Sequence, residues 1–328
     1  MPAIQSPAYS QSEHHDFLAQ KCNNRPTVIT FITTLPVWMR FLTVITFALL
    51  LFPTLALAAA GAPVPLLTAD HPVDWWFVFK FNAQSFPGCP GQTSRQCIFG
   101  GDVQKYPAYS QQFVFASSEN HSLQQGDTCA GTTTRDPVGA TFSEIYNGSY
   151  YYVVWNDKFF DDPAIKGCNK KCQKPWGHLK GILAWNDDGA GVVMQVSTAD
   201  WPASGSKDRP RQTDGNTLGC IRTDNDVNAS EHFFALKLNH DDVVKVLKAL
   251  GNASAVTDPA NGQIVRNGGP ADIQALVKNL GVVSDSTHYT KDDLSSGVML
   301  ISKASKLHVP PWQMISALLG GVPLRAAT

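Results

Sequence analysis

The stretch "HLKGILAWNDDGAGVVMQVS", residues 178–197, constrains the fold more than any other. Two apolar runs, 178–185 and 191–197, flank "NDDGA", whose Asn, Asp and Gly suit a tight turn. The pattern predicts a β-hairpin. On a strand, residues two apart face the same way, so His178 and Lys180 project side by side. The same parity carries on to Asn186, provided that no bulge intervenes. An imidazole, an ammonium and a carboxamide on one side suit a phosphate. Lys180 would neutralise non-bridging oxygens and Asn186 would donate a hydrogen bond. His178 would attack phosphorus or hand a proton to a leaving oxygen.

Other strand signals surround this hairpin. "VDWWFVFKF" (73–81), "YYYVVWND" (150–157) and "HFFALKL" (232–238) are aromatic and β-branched runs. The period then changes. "HDDVVKVLKALG" (240–251) opens on acids, spaces its apolar residues by three and four, and stops at Gly251. "GPADIQALVKNLG" (269–281) and "VPPWQMISALLGG" (309–321) repeat the helical pattern. Strands mixed with helices predict an α/β or mixed α+β architecture. The segments 82–135 and 198–220 read as long polar loops, of a length that is often functional or disulfide-tied.

The N-terminal part reads as a targeting region. "FLTVITFALLLFPTLA" (41–56) is an apolar run preceded by Arg40 and followed by "LAAAGAP". That order of charge, apolar run and small residues predicts a signal peptide over 39–60, and with it a secreted or periplasmic protein. Met39 stands just before Arg40, so 1–38 is expected to be an upstream extension. Pro53 and the shortness of the run argue against a stable membrane anchor. Six cysteines follow the expected cleavage site: Cys89, Cys97, Cys129, Cys168, Cys172 and Cys220. An even number in an exported chain points to disulfides, with fifteen possible pairings. Local Cys168–Cys172 or Cys89–Cys97 bridges are among them.

Charge gives no global hint of a nucleic-acid partner. Without residues 1–58 the chain keeps 23 Lys and Arg against 25 Asp and Glu. Seven histidines also remain, and their protonation below about pH 6.5 turns the balance positive. Locally the picture differs. Lys166, Lys170, Lys171, Lys174 and Lys180 fall within one short segment, and no acid lies between Asp162 and Asp187. Such a segment attracts anions. Trp176 beside it would stack on a base or simply pack. Two plainer readings stand alongside. An H-x-K pair on a strand is often a solvated edge. Cys168, Cys172 and His178 could approach a metal, although no second ligand pair completes the spacing. There is no P-loop, no G-x-S-x-G and no H-E-x-x-H.

The order of several words is more specific than any one of them. "HPVDWWFVFKF", "DPVGATFSEIYNGSYYYVVWND", "GHLKGILAWNDDGAGVVMQVSTADWP" and "DGNTLGC" occur in sequence, with "LISKASKLHVPPWQMISALLGG" after them. In this order they resemble the deoxyribonuclease II family of the phospholipase D-like superfamily. The resemblance implies a pseudo-dimeric fold of β-sheets flanked by helices. On this chain it implies an N-terminal half over 61–230 and the start of a second half over 231–328. It also implies a metal-independent endonuclease with no cofactor, DNA as substrate, acid preference and 3′-phosphate products. Two H-x-K motifs supply a histidine nucleophile and a histidine acid and base. The first motif falls on His178 and Lys180, with Asn186 in a position where many relatives have Asp. Lys170, Lys171, Lys174 and Trp176 are the expected substrate-binding residues.

No second H-x-K occurs before Thr328. The expectation is a C-terminally truncated chain, poorly active unless another copy completes the site as a homodimer. Two alternatives remain. One is a non-catalytic exported protein that binds nucleic acid or other anions on the same fold. The other is a phospholipase D-like phosphodiesterase for a different substrate.

Overall fold

A computed structural model describes residues 61–80, 113–131, 133–159, 172–202, 218 and 229–323. The expected signal peptide, Cys89, Cys97, Cys168, Cys220, Lys166, Lys170 and Lys171 lie outside them. The architecture is a mixed α+β one, built on a large antiparallel sheet flanked by four helices. The predicted hairpin forms its centre. Strands β7 (Lys180–Trp185) and β8 (Gly191–Val196) pair from Lys180 opposite Val196 to Trp185 opposite Gly191. In spatial order the eight strands run β10 (Val265–Arg266), β6 (Tyr151–Asn156), β7, β8, β9 (Glu231–Leu238), β3 (Trp75–Lys80), β4 (Phe113–Ser117) and β5 (Gln124–Gln125). Two small hairpins stand apart: β1 (Leu66–Thr68) with β2 (His71–Pro72), and β11 (Tyr289–Asp293) with β12 (Met299–Lys303).

Every residue of β7 is buried. A continuous buried run of this kind requires cover on both faces of the sheet. Helix α1 (Pro137–Asn147) supplies one cover. Thr141 on it accepts the indole N–H of Trp76 at 3.0 Å, and its hydroxyl donates to the Leu66 carbonyl at 3.1 Å. Phe142 packs against Trp201, which in turn meets Phe233 edge-on. Helix α2 (His240–Asn252) lies over the other face, where Val246 and Leu250 line a cavity together with Val193 and Leu236. Helices α3 (Ala271–Lys278) and α4 (Pro311–Leu318) complete the set. Among the described residues no helix is long and apolar enough to cross a membrane.

The starts of the helices follow from capping. Asn239 precedes α2 and accepts the Asp242 N–H at 2.9 Å, with Asp241 and Asp242 in the first turn. Asp136 precedes α1, with Pro137 at the first helical position. Its carboxylate accepts N–H groups from Gly139 and Gly131 at 2.8 Å and from Thr133 at 3.1 Å. Burial raises this carboxyl above the usual range, while those donors pull it back.

One expectation changes. The segment 82–135, read as one long loop, contains β4 and β5 at the edge of the main sheet. The strand expected at 232–238 forms as β9, an interior strand hydrogen-bonded to both β8 and β3. Pairing on both sides explains its aromatic content.

The hairpin turn is fixed by contacts from both helices that follow. Gly189 has a φ of 82°, a left-handed backbone that glycine adopts at little cost. A Cβ there would meet the His240 ring at 2.5 Å. His240 lies within 3.2 Å of Asp241 on its own helix and within 3.2 Å of Asp272 on α3. Hydrogen bonding to Asp241, then to Asp272, raises its pKa above the ordinary 6.5. A raised folded-state pKa stabilises the fold fully below the unfolded value and ceases to do so as pH climbs through the folded one. The difference in Tm between the parent and His240→Gln is therefore expected to be largest below about pH 6 and to vanish by about pH 8, a window set by the ordinary histidine range. Thermal unfolding across that range checks it. A difference independent of pH contradicts the assignment.

Candidate active site

The candidate site occupies the end of the sheet where β6 finishes and β7 begins. Asn156, the last residue of β6, pairs with Lys180, the first of β7. The next residue, Asp157, turns its carboxylate back to Lys180. Its Oδ1 accepts from the Lys180 Nζ at 2.6 Å, and its Oδ2 lies 3.7 Å from the His178 Nε2. Exposure divides the three by role. Asp157 and Lys180 keep 4% and 5% of their side-chain surface, whereas His178 keeps 85%. A buried ion pair thus stands directly behind an exposed imidazole. At 3.7 Å the carboxylate does not hydrogen-bond the ring, and it attracts the imidazole by charge only when the ring is protonated.

Further contacts fix this corner. The Asn156 amide donates to the Trp201 carbonyl at 3.1 Å, and its Oδ1 accepts the Lys158 N–H at 2.9 Å. The Cys172 N–H reaches the Asp157 carbonyl at 2.9 Å. Beyond β8 the chain returns at Asp200, whose φ of 61° is left-handed. Its N–H donates to the Lys158 carbonyl at 2.9 Å, and its carboxylate takes the Lys158 ammonium at 3.0 Å. A left-handed residue with a side chain costs about 1–2 kcal/mol, somewhat less for Asp. An exposed ion pair returns only about 0–1 kcal/mol. The pair does not by itself repay the backbone. Strain of this kind gathers at functional sites. At the same end of the sheet Lys80 is a second buried lysine, three strands from Lys180, or about 14 Å by strand spacing.

The structure brings both His178, just before β7 begins, and Lys180, its first residue, to the Asp157 carboxylate, but it separates Asn186 from them. Asn186 lies at the opposite end of β7, about 20 Å away at about 3.3 Å per residue. Parity places residues on a face but says nothing about distance along it. The Asn186 Oδ1 is also engaged, accepting the N–H groups of Asp188 and Ala190 at 3.1 Å to shape the hairpin turn. Asn186 is a turn residue here, not a neighbour of the imidazole. Trp176 is buried in the apolar core and so packs. Lys174 is exposed. Among the described residues no group of three or more His, Cys, Asp or Glu is placed to hold a metal ion.

Asp157, Lys158 and Asp200 are missed when the sequence is read motif by motif. The signal for Asp157 is its position. An acid that ends an apolar strand faces whatever begins the next strand, and here that is His178 and Lys180.

An ion-paired lysine behind an exposed histidine can neutralise a phosphate and present an imidazole to it. The family model for deoxyribonuclease II matches residues 66–306, most of the chain and all of this corner. The chain belongs to the deoxyribonuclease II family. No curated protein sequence matches it. Membership makes its function deoxyribonuclease-like, that of a nuclease hydrolase with DNA as its substrate. Asp157, Lys158, His178, Lys180 and Asp200 all fall within the matched deoxyribonuclease II segment.

Proposed function

We propose that this chain is an exported deoxyribonuclease II-like endonuclease that hydrolyses DNA phosphodiester bonds without a metal ion and works best in acid. The observation that carries the reading is the Asp157 carboxylate placed between the buried Lys180 and the exposed His178. Lys180 spends one of its three N–H donors on Asp157 and keeps others for a non-bridging phosphate oxygen. His178 takes one of the two histidine roles. In the first step an imidazole nitrogen bonds to phosphorus and the bond to the 5′-oxygen breaks. That oxygen leaves with a proton from the second histidine. Water then cleaves the phosphorus–nitrogen bond, giving a 3′-phosphate and restoring the imidazole. In this reading a second copy of the chain, presenting its own His178, would supply the other histidine.

Export through the leader at 39–60 to a secreted or periplasmic location belongs to the same reading. It is supported by the leader sequence and by the even number of cysteines that follow it.

End analysis separates this reading from a phospholipase D-like one. DNA fragments released at pH 5 are expected to resist polymerase extension until a phosphatase removes the 3′-phosphate. Extendable ends, or hydrolysis of phospholipid vesicles with DNA left intact, would contradict the assignment.

A further inference from the structure

We propose that Lys158 is a substrate-contacting residue for the DNA phosphate next to the scissile one, and that Asp200 is the positioning residue that aims it. The proposal rests on the nuclease reading above and names a contact within the same site. Lys180 is already committed to the scissile phosphate in that reading, and its ammonium is anchored to Asp157 at 2.6 Å rather than free to reach the next one. Lys158 has the opposite character. It follows Asp157 directly, so the two Cα atoms are about 3.8 Å apart, yet its side chain is 46% exposed.

Its backbone is held on both sides. The Asn156 Oδ1 accepts its N–H and the Asp200 N–H donates to its carbonyl, each at 2.9 Å. The side chain is held as well, since Asp200 accepts one ammonium hydrogen at 3.0 Å and leaves donors for an incoming anion. Asp200 is only 15% exposed, so the positive member of the pair is the one presented. An ordinary surface lysine samples many rotamers and must give up that freedom on binding. Lys158 is already confined before substrate arrives, one residue after the Asp157 whose carboxylate lies 3.7 Å from the His178 Nε2. This gives the left-handed Asp200 a purpose that stability does not.

The test measures binding of a short DNA duplex to the 328-residue chain carrying His178→Ala, over a series of salt concentrations. Lys158→Ala is expected to weaken binding about threefold to tenfold and to make the log–log salt slope shallower by about one, as for the loss of one phosphate contact. Lys158→Gln behaves likewise, and Lys158→Arg restores both affinity and slope. In an Asp200→Asn background, where Asn tolerates the same backbone, the Lys158→Ala loss shrinks to under about twofold because the two residues are coupled. A salt slope unchanged by Lys158→Ala overturns the phosphate contact. A full Lys158→Ala loss in the Asp200→Asn background overturns the positioning role. No DNA binding at all by the His178→Ala chain sinks the nuclease reading and this proposal with it, whereas binding with an unaltered slope sinks this proposal alone.

Discussion

Lys180→Met is expected to destabilise the protein by about 3–5 kcal/mol and to abolish DNA cleavage. The stem of methionine fills nearly the same space, so the loss is electrostatic. Asp157 has only 4% of its side chain exposed and would be left as a buried charge without its 2.6 Å partner. Asp157→Asn reverses the problem by leaving the Lys180 ammonium buried without a counter-charge, and it costs a similar amount. The double substitution removes both charges together. A buried pair replaced by neutral groups is often close to neutral in stability. The double variant is therefore expected to be more stable than either single one, and still inactive. Urea unfolding of the four proteins measures this directly. Additive losses in the double variant would mean that the pair is not coupled in the way the geometry requires.

Trp201→Ala carries the second large effect, about 3–5 kcal/mol. Trp201 is fully buried, with Phe142 of α1 at 4.9 Å and Phe233 of β9 at 5.7 Å between ring centres. It joins the helix that covers the sheet to the loop that carries Asp200. Its carbonyl also accepts the Asn156 amide. Truncation leaves a cavity and loosens the strained turn next to the site, so activity falls with stability. Trp201→Phe keeps most of the packing and is expected to cost less than about 1.5 kcal/mol. Unfolding of both variants, beside their cleavage rates, checks the link. Full stability in Trp201→Ala would show that this ring does not brace the corner.

Much of the architecture was legible because its signals are local. The hairpin over 178–197 and the helix at 240–252 follow from alternation, turn residues and capping. Helix α1 was not read, although Asp136, Pro137 and the spacing of Val138, Phe142 and Ile145 carry the cap and the apolar stripe. Its apolar face is shared with small residues, Gly139 and Ala140, that blunt the pattern. The β11–β12 hairpin was missed for a different reason. "YTKDD" pairs with "MLISK", so a charged strand lies against an apolar one and neither alternates cleanly.

The site divides in the same way. His178 and Lys180 are two residues apart, and both reach the Asp157 carboxylate, His178 from just before β7 and Lys180 from its first residue. Asp157 joins them only through strand pairing between β6 and β7, across 23 residues of sequence. Asp200 joins through a return of the chain beyond β8. Asn186 shows the converse, since its face follows from local parity while its distance follows from strand length.

The corner formed by Asp157, His178 and Lys180 is proposed to cut DNA. Plasmid nicking at pH 5 with EDTA present tests it most directly. The account predicts nicked product that disappears in His178→Ala, while that variant keeps the Tm of its parent, since His178 is 85% exposed. Undiminished nicking by a folded His178→Ala protein would contradict it.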